Sequence, residues 1–187
     1  MREKRMNSKT EELLDKIEKK TFYYEAHHHD CCQCVLLTLQ EAFELSGESA
    51  FKAATGFAGG MGRTGQVCGG LTGSIMAFGL LWGRDMKMMM HPDEQERLDQ
   101  LETIELKIRA LIKKLQKRFT EEYGGFTCDD VQTKIFGKPY SKGTPEEREE
   151  MERLGGHKDK CPSVAGKAAR WAAELILEEM EKDGSLT

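Results

Sequence analysis

The stretch from Gly56 to Gly73, GFAGGMGRTGQVCGGLTG, holds 8 of the chain's 19 glycines. Glycine loses the most conformational freedom on folding, so such density is kept where the backbone takes positive φ or packs against something close. The stretch runs into Val67–Leu81, apolar almost all round, and Cys68 stands at the junction. A helix of that composition belongs at the centre of a fold. Gly69, Gly73 and Ala77 lie four apart and let a neighbouring helix approach closely. The glycine stretch therefore reads as a wall around a cysteine site.

The rest of the chain carries the helical period. Ser8 to about Glu25 places Leu13, Leu14 and Ile17 on one side. A polar stretch, Tyr23 to Asp30, follows, and Asp30 can cap a helix from Cys31 to about Leu45 that Gly47 ends. Glu48–Thr55 reads as a short helix. Pro92 opens a long one to about Tyr123, with Leu101, Ile104, Ile108, Leu111 and Leu115 as its buried stripe. At a rise of 1.5 Å per residue it is roughly 45 Å long, enough to leave the body and offer a homodimer surface. Thr127 caps Cys128–Phe136, Gly137–Gly143 is a loop, and Thr144-Pro145 starts a charged helix ended by Gly155-Gly156. The last helix runs from Cys161-Pro162 to about Lys182 and buries Val164, Ala168, Trp171, Ala172 and Leu175. No segment alternates as a half-buried strand does. The expectation is an all-α, compact multi-helix bundle, one domain over residues 1–187, with a glycine-rich loop leading into a buried central helix.

A net charge of −4 supplies no broad positive field, which argues against nucleic acid as a partner. The charged first twenty residues have no signal-peptide core, and Val67–Trp82 is too short and glycine-rich for membrane insertion. A cytoplasmic protein is expected. In that setting six cysteines read as thiols or metal ligands rather than a disulfide framework.

Cys31, Cys68, Cys128 and Cys161 each fall at a predicted helix start. Free backbone N–H groups and the positive end of the helix dipole stabilise an anion there, lowering a thiol's pKa and making it a better nucleophile or ligand. The four are far apart in sequence, unlike the short C-x2-C pairs of zinc ribbons and thioredoxins. A site built from them needs four helix ends packed together. Gly59, Gly60, Gly62, Gly69 and Gly70 form its candidate cofactor-binding wall, where N–H groups can point at sulfur, as around iron–sulfur clusters.

These residues resemble the C_GCAxxG_C_C family of redox-active proteins, which carries four characteristic cysteines. Asp30-Cys31-Cys32-Gln33 matches the first, Gly56–Gly62 the glycine-rich approach, and Cys68-Gly69-Gly70-Leu71-Thr72-Gly73 the named core, with Gly70 where alanine is usual. Cys128 and Cys161-Pro162 stand as the third and fourth, and the resemblance covers about residues 20–180. It implies chemistry that rests on the four cysteines. A similar cysteine-rich domain in split-Soret cytochromes is associated with an iron–sulfur cluster. The chain departs in adding Cys32, Cys34 and His27–His29, and it lacks the C-x-x-C-H sequence for covalent haem.

The preferred expectation is an iron–sulfur cluster, of a type left open, held by Cys31, Cys68, Cys128 and Cys161 for electron transfer or redox sensing with a redox partner protein. The alternative is metal-free thiol–disulfide chemistry, with the same four cysteines catalytic. A transporter-associated interaction protein using the long helix is a third reading. Cys32, Cys34 and His29 are candidate extra ligands; core packing for the cysteines and a solvated helix end for the histidine are the plainer alternatives. His91 and His157 read as surface residues, and Met86–Met90 as filler in the core or at a dimer surface. Arg63 is a candidate to neutralise an anionic centre. Gly60-Met61-Gly62-Arg63-Thr64-Gly65 matches G-x-G-x-x-G, but a dinucleotide site needs a preceding strand, and the preceding residues read as helix.

Overall fold

The computed structural model describes residues 8–140 and 143–184. The charged start before Ser8 and the pair Ser141-Lys142 of the expected loop lie outside them. Among the described residues the chain is helical, in the order α1 (Ser8–His28), α2 (Cys31–Ala42), α3 (Glu48–Ala54), α4 (Ala58–Met61), α5 (Gly69–Trp82), α6 (Met86–Met89), α7 (Glu94–Tyr123), α8 (Cys128–Phe136), α9 (Pro145–Arg153) and α10 (Cys161–Lys182). A 3-10 turn, Thr55–Phe57, precedes α4, and a π-helical turn, Gly156–Lys160, leads into α10. No strand occurs among them; a single antiparallel bridge joins Val67 and Thr127.

α1 and α10 pack along one another, α2 lies across α5, and both of these pack on α10. One buried cluster draws on these four helices together with α7 and α8, from Leu14 and Ile17 through Leu36, Leu39, Phe78 and Phe119 to Leu175 and Ile176. A Cβ on Gly73 would come within 2.5 Å of the Cys32 carbonyl oxygen, so α2 and α5 meet there nearly backbone to backbone. Ser74 links α5 to α10: its hydroxyl donates to the carbonyl oxygens of Gly70 (2.8 Å) and Ala168 (3.4 Å).

The three caps read from sequence, Asp30, Thr127 and Thr144, are present, and Asp93 supplies a fourth that the sequence reading did not single out. The side-chain oxygens of Asp30, Asp93, Thr127 and Thr144 each accept a backbone N–H from three residues on. Three expectations are corrected. α1 does not stop near Glu25 but runs on to His28, which carries Glu25 onto a buried face. Gly47 is the N-cap of α3 rather than the end of α2, which closes at Phe43 with Glu44 left-handed. α5 is not buried along its whole length: burial runs as far as Phe78, and Gly79 and Leu80 are exposed. None of the described helices is long and apolar enough to cross a membrane.

Candidate redox site

The four cysteines do stand at helix starts. Cys31 opens α2 and Cys128 opens α8, while Cys68 is the residue immediately before α5. Cys161 opens α10, but the π-helical turn runs straight into it, and its N–H donates to the Gly156 carbonyl, so its backbone is not a free helix end. All four line one cavity of about 140 Å³. Glu25, Asp30, Arg63 and His157 also line it. Cys68 and Cys128 are buried, whereas Cys31 and Cys161 keep partial exposure on the cavity they face.

The glycine stretch organises this wall. Its residues Gly65–Cys68 pair with Phe126–Asp129: Cys68 N–H donates to Phe126 O (3.0 Å), Cys128 N–H to Gln66 O (2.6 Å) and Asp129 N–H to Gly65 O (3.1 Å). Gly60, at φ 74, lies so close that a Cβ there would come within 2.8 Å of the Cys128 Cβ and 2.6 Å of the Gln66 backbone. A Cβ on Gly69 would overlap the Cys31 sulfur. Gly59 N–H points at the Cys31 sulfur, and the N–H groups of Gly70 and Leu71 point at that of Cys68. Of the five glycines expected to form a cofactor wall, only Gly59 and Gly70 line the cavity; Gly60 and Gly69 are buried behind it, held there by the close packing just described, and Gly62 is exposed at the end of α4.

Burial overturns the expected lowering of the thiol pKa values. Cys68 is pushed up to about 11, Cys128 and Cys161 further, and Cys31 is pushed well up by the same loss of water. Loss of water disfavours the thiolate more than two or three N–H groups favour it. Glu25 is 2% exposed and pushed up to about 8 by burial, so it is held as the neutral acid at neutral pH. Its Oε2 has no hydrogen-bond partner, and Cys34 is within reach of its carboxyl group. Burial also raises Asp30 and lowers His157, the latter against the pull of its Glu152 partner.

Cys32, Cys34 and His29 do not line the cavity. Cys32 is fully buried in the core with its sulfur 3.9 Å from Met76 Sδ, and Cys34 donates to the His29 carbonyl (3.0 Å). His29 is exposed with φ 60, its ring edge-on to that of His157 at 4.3 Å. His27 stacks on Tyr23 at 4.1 Å. His157, read from sequence as a surface residue, is instead a cavity residue paired with Glu152. Sequence reasoning also missed Glu25, whose one signal was its helical spacing of eight residues from Ile17. Among the described residues no group of three or more His, Cys, Asp or Glu closes on a single ion. The G-x-G-x-x-G match follows α3 and a 3-10 turn rather than a strand, so it lacks the βαβ setting of a dinucleotide loop.

Residues 29–175, which include all four cavity cysteines, match the family described as "Putative redox-active protein (C_GCAxxG_C_C)". An uncharacterized protein of Archaeoglobus fulgidus is 29% identical over 125 residues, covering 66% of this chain and 79% of that protein. No solved structure matches the chain.

Proposed function

This chain belongs to the C_GCAxxG_C_C family of redox-active proteins, and we propose that Cys31, Cys68, Cys128 and Cys161 hold an iron–sulfur cluster for electron transfer or redox sensing with a protein partner. The observation that carries the reading is that four thiols from four helix starts, distant in sequence, line one cavity. Its volume is about ten times the 10–15 Å³ or so that one water needs.

The donor set supports the same reading. Thiols raised this far by burial make poor free nucleophiles, but a bound metal cation deprotonates a coordinating thiol outright. That weighs the metal centre above metal-free thiol chemistry. When bound, the cluster supplies one-electron redox chemistry tuned by its surroundings. The chain's own part is to present sulfur, aim the N–H groups of Gly59, Gly70 and Leu71 at it, and exclude water. Arg63 at the rim offsets negative charge in the cavity. A reducing cytoplasmic setting suits such a site.

Anaerobic purification followed by iron and acid-labile sulfide analysis and visible absorbance tests the proposal. Iron and sulfide together, both lost in Cys68→Ser, are expected. Absence of both after anaerobic reconstitution overturns it. Mass spectrometry after mild peroxide would then show whether two of the same four cysteines pair as a disulfide.

A further inference from the structure

Helix α7 begins with a long segment that the rest of the chain covers on one side only. From Pro92 to Ala110 no residue is buried, and the first buried position is Leu111. At 1.5 Å per residue this is more than about 25 Å of helix. Leu98 and Leu106 are 52% and 58% exposed, and α6, packed on α7, adds Met86 at 82%.

The ion pairs to α10 fix which side of α7 is free. Lys107 reaches Asp183 (2.6 Å), Lys114 reaches Glu178 (3.5 Å), and Arg118 pairs with Glu174. On the opposite side, helical spacing aligns Leu98, Glu102, Leu106, Arg109 and Lys113. This free face changes sign at its middle: Asp99, Glu102 and Glu105 precede Leu106, and Arg109, Lys113 and Lys117 follow it. The helix dipole does not account for the pattern, because its effect fades within the first and last turns, and the reversal lies near the centre of a 30-residue helix.

We propose that this face of α7 pairs antiparallel with the same face of a second copy of the chain, about a two-fold axis beside Leu106. In that register Leu106 packs near its own copy at the axis. Glu102 meets Arg109 of the second copy, and the Leu98 side chain lies along the aliphatic stem of the second copy's Lys113. A two-fold interface must be self-complementary, and a face that is acidic on one side of the axis and basic on the other meets that condition. Arg109 already touches Glu105 on its own helix at 3.2 Å, but an exposed pair of this kind is worth little and leaves Arg109 able to turn to Glu102 across the axis.

Sedimentation velocity on the full chain over a range of concentrations tests the pairing. A dimer is expected, weakened by salt. Leu106→Glu should give a monomer with unchanged helical circular dichroism, because the residue is exposed in the single chain. Glu102→Arg should weaken the dimer about tenfold or more, and adding Arg109→Glu should restore it. A wild-type chain that stays monomeric overturns the inference, whether or not some other protein binds there. So does a dimer indifferent to Leu106→Glu, or a charge swap that fails to restore association.

Discussion

Cys68 and Cys128 are joined through their backbones: the N–H of Cys68 donates to the carbonyl two residues before Cys128, and the N–H of Cys128 to the carbonyl two residues before Cys68. The starts of α5 and α8 are thereby locked in register before either side chain does anything. Two of the four cavity thiols are placed by main-chain geometry, which adapts less than a side-chain rotamer does.

Gly60→Ala tests that lock. At φ 74 an alanine is strained, and its Cβ would also strike the Gln66 backbone and the Cys128 Cβ. A loss of at least about 2 kcal/mol in urea unfolding is expected, with iron content falling alongside. Gly56→Ala, at ordinary φ and with nothing near its Cβ, should stay within about 0.5 kcal/mol of wild type.

Glu25 makes the metal-free chain's stability depend on pH. Burial pushes its folded pKa up to about 8, from an ordinary value of 4.5. Between those values the unfolded state gives up a proton that the folded state keeps, so stability is full below about pH 4.5 and falls as pH rises towards 8. The slope is about 1.4 kcal/mol per pH unit in the middle of that window. His157, shifted down, acts in the opposite direction below its ordinary value. Comparing Glu25→Gln with wild type isolates the carboxyl: denaturant midpoints from pH 5 to 7.5 should flatten in the variant. Parallel curves would show that Glu25 ionises freely in the folded chain.

Cys32 and Cys34 should be dispensable for iron. Cys32→Ala removes a fully buried sulfur from the α2–α5 contact and is expected to cost about 1–2 kcal/mol. Cys34→Ala gives up the thiol hydrogen bond to the His29 carbonyl, worth about 1 kcal/mol. Iron per chain and the visible spectrum should match wild type in both variants, and loss of iron from either would place it in the ligand set.

What the sequence made legible is chemistry settled within a few residues. Asp30, Thr127 and Thr144 announce their helices because a cap is a local hydrogen bond, and the apolar stripe of α10 is periodic; the stripe expected on α7 is buried only at Leu111 and Leu115, while Leu101, Ile104 and Ile108 are half-buried, because the period marks a face and not how far the body reaches along it. The cavity's other residues were hidden because their burial comes from distant segments. Glu25 sits in what reads as a polar stretch, and it is buried only because α1 continues one turn further. His157 lies in a π-helical turn between α9 and α10 that no local signal separates from an ordinary loop. The thiol pKa values went the other way for a related reason. Helix ends are visible in sequence, whereas the extent of desolvation is set by everything packed around the sulfur, and here desolvation dominates.

Gly69 and Gly70 are adjacent in the first turn of α5, yet the same substitution should cost stability at one and little at the other. Alanine is favoured over glycine by up to about 1 kcal/mol in a helix interior and by less in a first turn, so both variants begin with at most a small gain. At Gly69 the new Cβ would overlap the Cys31 sulfur and press within 3.2 Å of the Cys32 backbone nitrogen, so either α2 shifts or the thiol leaves its position. A net loss of about 1–3 kcal/mol is expected, with reduced iron per chain. At Gly70 the new Cβ meets the Ala168 Cβ at 3.1 Å, a contact that a small movement of α10 relieves, and it stays 3.9 Å from the Cys68 sulfur. Gly70→Ala should therefore lie within about 1 kcal/mol of wild type and keep its iron. Equal losses at the two positions would mean that the α5–α10 contact, rather than the approach of α5 to Cys31, limits what this turn can accept.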